Sequence, residues 1–246
     1  MQLTVTDDAA AMSALAADRI IQTITATPDA ALLVATGSSP LGAFEIVARR
    51  ARVEGIKTAR LRIFQLDEYL NLAAGDRRLL YGWMQRAVLD PLAIPEANVV
   101  RLPSIVADEA RVRRDYEAAV AAAGGFDLAI LGLGPNGHLG FNEPPSGPEA
   151  PTRVVELTLE SVVSNSTYWG GPDQTPRQAI TAGLDLILAA RRILLIVPGT
   201  HKRAILHLAV SGPETPEVPA SYLRRCAGEI ICDRAAWGAG PPGATN

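Results

Sequence analysis

The sequence predicts an α/β protein built on a single doubly wound, mostly parallel sheet with helices on both faces. Three observations carry that expectation. Short, almost wholly apolar segments at residues 30–35, 126–132 and 193–197 have the length and continuity of strands buried on both sides. Longer amphipathic segments alternate with them, as parallel strands require, because each crossover needs a helix. Turns rich in Gly, Ser, Thr and Asn follow all three apolar segments, at the sheet edge where open α/β folds bind ligands.

Residues 8–26 form an Ala-rich amphipathic helix, residues 30–35 a buried strand, and the turn TGSSP leads into a helix that runs to about residue 53. A second strand at 61–66 ends at the acidic pair Asp67 and Glu68. A loop through Asp76 then leads to a helix at 79–89, closed by Pro91 and Pro95. Residues 99–102 make a short strand, 107–123 a helix, and 126–132 a strand apolar except for Asp127. The segment 143–151 contains Pro144, Pro145, Gly147, Pro148 and Pro151, which predicts a loop and a mobile cover over a site. Strands at 154–158, 179–182 and 193–197 follow, then helices at 201–210 and 220–225 and a strand at 229–232. Residues 1–237 thus read as one domain of the Rossmann-like class, and the Gly/Pro-rich segment 238–246 as a disordered tail.

A chain of 246 residues with 48% hydrophobic and 20% charged residues can bury a large core. Its formal net charge of −3, without a long single-sign run, argues against nucleic acid as a partner. No apolar run approaches the roughly 18 residues that span a membrane, and MQLTVTDDAA lacks the basic and apolar regions of a secretion signal. Cys226 and Cys232 have five residues between them and fit no common zinc or redox spacing, so reduced thiols in a cytoplasmic protein and no metal site are expected.

The densest chemistry lies at residues 131–144, LGLGPNGHLGFNEP. Gly132, Gly134 and Gly137 match G-x-G-x-x-G after a strand, but Pro135 and the later prolines oppose the helix that a dinucleotide fingerprint opens. His138 is either a satisfied loop histidine or an acid–base group. Glu143, nearby along a turning loop, is placed to orient its imidazole. Asn136 supplies an amide or stabilises the turn beside Gly137. Asp67 ends a strand at the same sheet edge and is a candidate base, with a solvated carboxylate or helix cap as its plain alternative, and Glu68 alternates away. Thr36, Gly37, Ser38 and Ser39 offer hydroxyls and helix-start amides that suit a phosphate, or simply cap the helix. Lys202, in the turn GTHK, adds a cation at another strand end.

Taken in order, TGSSP, LDEY, LGLGPNGHLGFNEP, TPRQAITAG and VPGTHK resemble the glucosamine-6-phosphate deaminase family over nearly the whole chain. The resemblance implies a cytoplasmic enzyme that isomerises a hexosamine 6-phosphate and releases ammonia, converting glucosamine 6-phosphate and water to fructose 6-phosphate. It also implies no metal or organic cofactor. Asp67 matches the family's enolisation base and Asn136, His138 and Glu143 its ring-opening group, while Thr36, Gly37, Ser38, Ser39, Gly137 and Lys202 are the candidate substrate- and phosphate-binding residues. Many members carry aspartate where Asn136 stands. The usual phosphate-binding arginine corresponds to Thr167, for which Arg177 is a candidate replacement. Regulated members share Arg153 but carry lysine where Val155 stands, which implies no strong activation by N-acetylglucosamine 6-phosphate.

Thr167 and VPASYL also resemble the galactosamine-6-phosphate branch. A lactone hydrolase on the same fold and a non-catalytic sugar-phosphate sensor are the other competing functions. LDEY with FNEP favours the deaminase, since a lactonase has no use for a C2 base. A homo-oligomer is compatible with all of these.

Overall fold

The computed structural model describes residues 1–238. The expected tail at 238–246 therefore lies, beyond Gly238, outside the described residues. The strands are β1 (Gln2–Thr6), β2 (Ala31–Val34), β3 (Arg62–Gln65), β4 (Asp67–Tyr69), β5 (Val99–Val100), β6 (Leu128–Gly132), β7 (Arg153–Glu156), β8 (Gln178–Thr181), β9 (Ile193–Val197) and β10 (Gly228–Asp233). Seven of them form one parallel sheet in the order β1-β10-β9-β6-β2-β3-β5.

Strand alternation explains why the sheet is doubly covered. In β2, Ala31 and Leu33 point into one core and Leu32 and Val34 into the other; β6 and β9 divide in the same way. The helices α1 (Ala9–Ala26), α2 (Ser38–Glu54) and α3 (Leu80–Met84), with the π-helical turn Gln85–Leu89, fill one face through Ile20, Phe44, Met84 and Val88. On the other face α4 (Glu109–Ala122), α6 (Leu184–Leu188), α7 (Arg203–Ser211) and α8 (Arg234–Trp237) bring Tyr116, Ile187, Leu206 and Ala236. Asp8 caps α1 by accepting from the Ala11 amide at 2.8 Å, which fixes where that helix begins.

The doubly wound parallel sheet is the one the sequence predicts, with additions that include the short helices α6 and α8. β1 pairs along β10 as a further edge strand. The segment α5 (Leu159–Trp169) is a helix that the sequence pattern does not announce. The strands expected at 154–158 and 179–182 do not join the main sheet: β4, β8 and β7 form a separate three-stranded antiparallel sheet. That sheet and α5 enclose a third core of Tyr69, Phe141, Val162 and Trp169. No described helix is long and apolar enough to cross a membrane.

Candidate active site

A cavity of about 520 Å³ opens at the carboxyl edge of the adjacent strands β9, β6, β2 and β3. The chain runs outward in opposite directions from β2 and β6, which makes this the topological switch point of the sheet. Each strand delivers one part of the wall: Thr36 to Pro40 follow β2, Asp67 follows β3, Gly134, Pro135 and His138 follow β6, and His201 and Lys202 follow β9. Helix α5 closes the remaining side with Asn165, Thr167 and Tyr168.

Asp67 is 7% exposed. Burial, and then the neighbouring Glu68 carboxylate, pushes its carboxyl up to about 8. Glu68 points away, as its alternation predicts, and has a structural task. It accepts from the amides of Tyr69 and Leu80 at 2.8 Å, from Tyr81 at 2.9 Å and from Gln65 Nε2 at 3.0 Å. Burial raises the Glu68 pKa against the pull of those donors, which include the first amides of α3.

The loop after β6 is a tight turn in which Gly134 N–H donates to the His138 carbonyl at 3.0 Å. His138 Nδ1 faces Glu143 Oε2 and Ser161 Oγ, both at 3.3 Å, which leaves Nε2 as the nitrogen without a partner among the described residues. Its ring packs over Gly134, where a Cβ would stand 2.2 Å from the imidazole. Asn136 Nδ2 donates to Glu143 Oε2 at 2.8 Å and Thr158 Oγ1 donates to the same oxygen at 3.2 Å. Burial acts to raise the Glu143 pKa, but the His138 hydrogen bond and charge, with Ser161 and Asn136, outweigh it and hold the carboxyl at about 2.

These placements sort the candidate residues. Asp67 and His138 stand on the cavity wall, whereas Asn136 and Glu143 lie in a layer behind His138. Thr36, Gly37, Ser38 and Ser39 line the cavity, and α2 begins at Ser38 with Gly37 as its N-cap and no side-chain cap hydrogen bond, so the plain cap does not account for this turn. Lys202 is 8% exposed and lines the same end. Burial lowers its pKa, opposed by the charge of Glu160.

Gly137 is a correction. It does not line the cavity; its carbonyl accepts from Ala220, and its N–H, the one donor it could offer a phosphate, is taken by the Gly134 carbonyl. Its φ is +87°, and a Cβ at this position would stand 2.8 Å from the Val218 side chain, so the glycine is explained on backbone grounds. Arg177 is likewise not at the cavity but in a separate cleft beside Arg78 and Glu156, and so does not replace an arginine at Thr167. The loop 143–151 does not cover the cavity either. Its Ser146 is buried behind the site, donates to the Glu143 carbonyl and accepts from Arg153 at 2.8 Å.

Sequence reasoning missed the aromatic side of the cavity. Trp83, Tyr168 and Trp169 line it, with Trp83 and Tyr168 edge-to-face at 5.1 Å, and the Tyr168 hydroxyl meets Ser38 Oγ at 3.0 Å. His201, beside Lys202 in GTHK, was the one legible signal of this group. Burial, then Lys202, lowers its pKa, and Asp233 opposes.

The fold and cavity define an α/β protein that gathers acid–base groups and a polar, cationic end around one small-molecule site. Residues 6–232 match the family model described as glucosamine-6-phosphate isomerases/6-phosphogluconolactonase. The chain is 36% identical over 238 residues to a glucosamine-6-phosphate deaminase of Oceanobacillus iheyensis, covering 96% of this chain and 95% of that protein. A glucosamine-6-phosphate deaminase of Rhodopirellula baltica is 34% identical over 226 residues, covering 92% and 90%. Among solved structures, a monomeric glucosamine-6-phosphate deaminase superposes with a TM-score of 0.93 at 29% identity, covering 96% of this chain and 98% of that one. The 6-phosphogluconolactonase of Trypanosoma brucei, at 19% identity and a TM-score of 0.76 over 96% and 97% of the chains, shares the fold. The chain belongs to the glucosamine-6-phosphate isomerase/6-phosphogluconolactonase family.

Proposed function

We propose that this protein is a cytoplasmic hexosamine-6-phosphate deaminase that converts glucosamine 6-phosphate and water to fructose 6-phosphate and ammonia. The observation that carries this reading is the pairing of a buried carboxyl, Asp67, with an oriented imidazole, His138, on the wall of one cavity. The closed sugar hides its aldehyde. His138 Nε2 takes the proton of the C1 hydroxyl and returns it to the ring oxygen as the C1–O5 bond opens, with Glu143 and Asn136 holding the ring. Asp67 then removes the C2 proton, forming an enolamine, and a proton delivered to C1 yields the C2 imine. Water adds to that imine and ammonia leaves, so the reaction needs neither metal nor organic cofactor.

The phosphate belongs at the end bearing Ser38, Ser39 and Lys202, where the N-terminus of the 17-residue α2 adds its dipole. The free thiols Cys226 and Cys232 support a reducing compartment. The Asp67 placement also favours deamination over lactone hydrolysis, in which no C2 proton is removed. The test measures ammonia release from glucosamine 6-phosphate, galactosamine 6-phosphate and the two unphosphorylated sugars. Glucosamine 6-phosphate is expected to react fastest, and Asp67→Asn to abolish release. Absence of ammonia from every hexosamine phosphate would sink the proposal, and faster release from galactosamine 6-phosphate would reassign the substrate.

A further inference from the structure

Trp83 lines a second cleft besides the catalytic cavity, of about 460 Å³, between α2 and the segment formed by α3 and the π-helical turn. Arg49 and Arg52 reach it from α2 and Arg86 from the facing segment, with Glu45 as the single carboxylate on its wall. None of the three arginines is ion-paired among the described residues. Arg50, by contrast, is tied to Asp18 and Glu54. The cleft therefore gathers unneutralised guanidinium groups on a chain of net charge −3.

Local geometry keeps this space open. Ala48 and Ala87 are small at facing positions. The π-helical turn Gln85–Leu89, a rare register often found at functional sites, carries Arg86 and Ala87. Trp83 is half-buried and is held edge-to-face by Tyr168 at 5.1 Å and Trp169 at 6.4 Å, so it offers a flat wall of fixed orientation. Helix-dipole compensation accounts for Arg52, in the last turn of α2, and for Arg86, in the last turn of its own segment, but not for Arg49.

We propose that this cleft binds a nucleoside diphosphate or triphosphate, with the phosphates on Arg49, Arg52 and Arg86 and the base against Trp83. Three planar forks suit a polyanion, an indole suits a flat base, and the volume lies in the range of small-molecule sites. Occupancy then bears on the catalytic cavity through Trp83, because the same ring packs on Tyr168, the residue hydrogen-bonded to Ser38.

Calorimetric titration of the purified protein with ADP, adenosine and pyrophosphate tests the site without any substrate, so its outcome is independent of the deaminase reading. ADP is expected to bind saturably, about 10-fold or more tighter than adenosine or pyrophosphate alone, and Arg49→Gln combined with Arg86→Gln to weaken it by about 10-fold or more, as loss of charge-assisted contacts predicts. Both positions are exposed, and an unchanged melting temperature would establish that the double variant folds. Absence of saturable ADP binding, pyrophosphate binding as tightly as ADP, or equal affinity in the double variant would each overturn the proposal.

Discussion

Asn136 is the residue at which the acid–base layer is most finely set. Its amide donates to Glu143 at 2.8 Å while its Oδ1 accepts from the His138 backbone amide at 3.3 Å, so one side chain fixes both members of the pair. Asn136→Ala removes a hydrogen bond to a charged acceptor, worth about 1.5 to 3 kcal/mol of stability, so the melting temperature is expected to fall by several degrees and kcat by about 10- to 100-fold. Gly134 acts by what it lacks. A methyl at Gly134 would stand 2.2 Å from Cδ2 and Nε2 of His138 and must displace the imidazole, so Gly134→Ala is expected to cost about 100-fold in kcat. Wild-type kcat in either variant would show that His138 needs no such support. Glu68 carries a different load: with four N–H donors aimed at it, Glu68→Gln is expected to destabilise the chain by about 2 to 4 kcal/mol, measured by denaturant unfolding.

The elements differ in how plainly the sequence announces them. Strands β2, β6 and β9 are buried on both faces, so their continuous apolar runs are unambiguous and the cavity at their carboxyl ends follows from topology. β1 reads poorly because an edge strand is half exposed and alternates Thr with Leu and Val. Helix α5 is hidden by its β-branched, polar and aromatic residues, few of them strong helix formers. The antiparallel sheet is hidden because its pairing partners lie far apart in the chain, Asp67 opposite Thr181 and Arg153 opposite Thr181 on the other side. Asp67, His138 and Lys202 were legible because each stands at a strand end, whereas Tyr168 and Trp83 reach the cavity only through α5 and α3, whose packing no local pattern encodes. The same second sheet bears on regulation. Arg153 at the start of β7 donates to Asn142 Oδ1, the Pro151 carbonyl and Ser146 Oγ, so its guanidinium is committed within the chain. N-acetylglucosamine 6-phosphate is accordingly expected to leave the substrate KM within about twofold, less than the typical ~1 kcal/mol of allosteric coupling; a large drop in KM on adding it would refute this.

At the scale of the whole molecule the electrostatics of the site are visible in how stability depends on pH. Asp67 is raised to about 8 by burial and by Glu68, while Glu143 is held at about 2 despite its burial. The two have opposite signs. Asp67 takes up a proton on folding between an unfolded value near ~4 and about 8, so its contribution is fully present below ~4 and is lost as pH rises through 8. Glu143 contributes above an unfolded value near ~4.3, and that contribution is lost as pH falls through about 2. Asp67→Asn removes the first dependence and keeps the second. The melting temperature of the variant should therefore gain on wild type as pH rises from 4 to 9, by roughly 2 to 4 °C for each kcal/mol of relieved charge burial in a chain of this size. A constant difference across that range would mean that Asp67 is not held protonated by the fold. In the working enzyme the substrate's ammonium group, brought beside Asp67, favours the carboxylate, so the acid limb of kcat is expected below that of kcat/KM. On the proposed mechanism the cavity thus keeps Asp67 neutral until the substrate supplies the opposing charge.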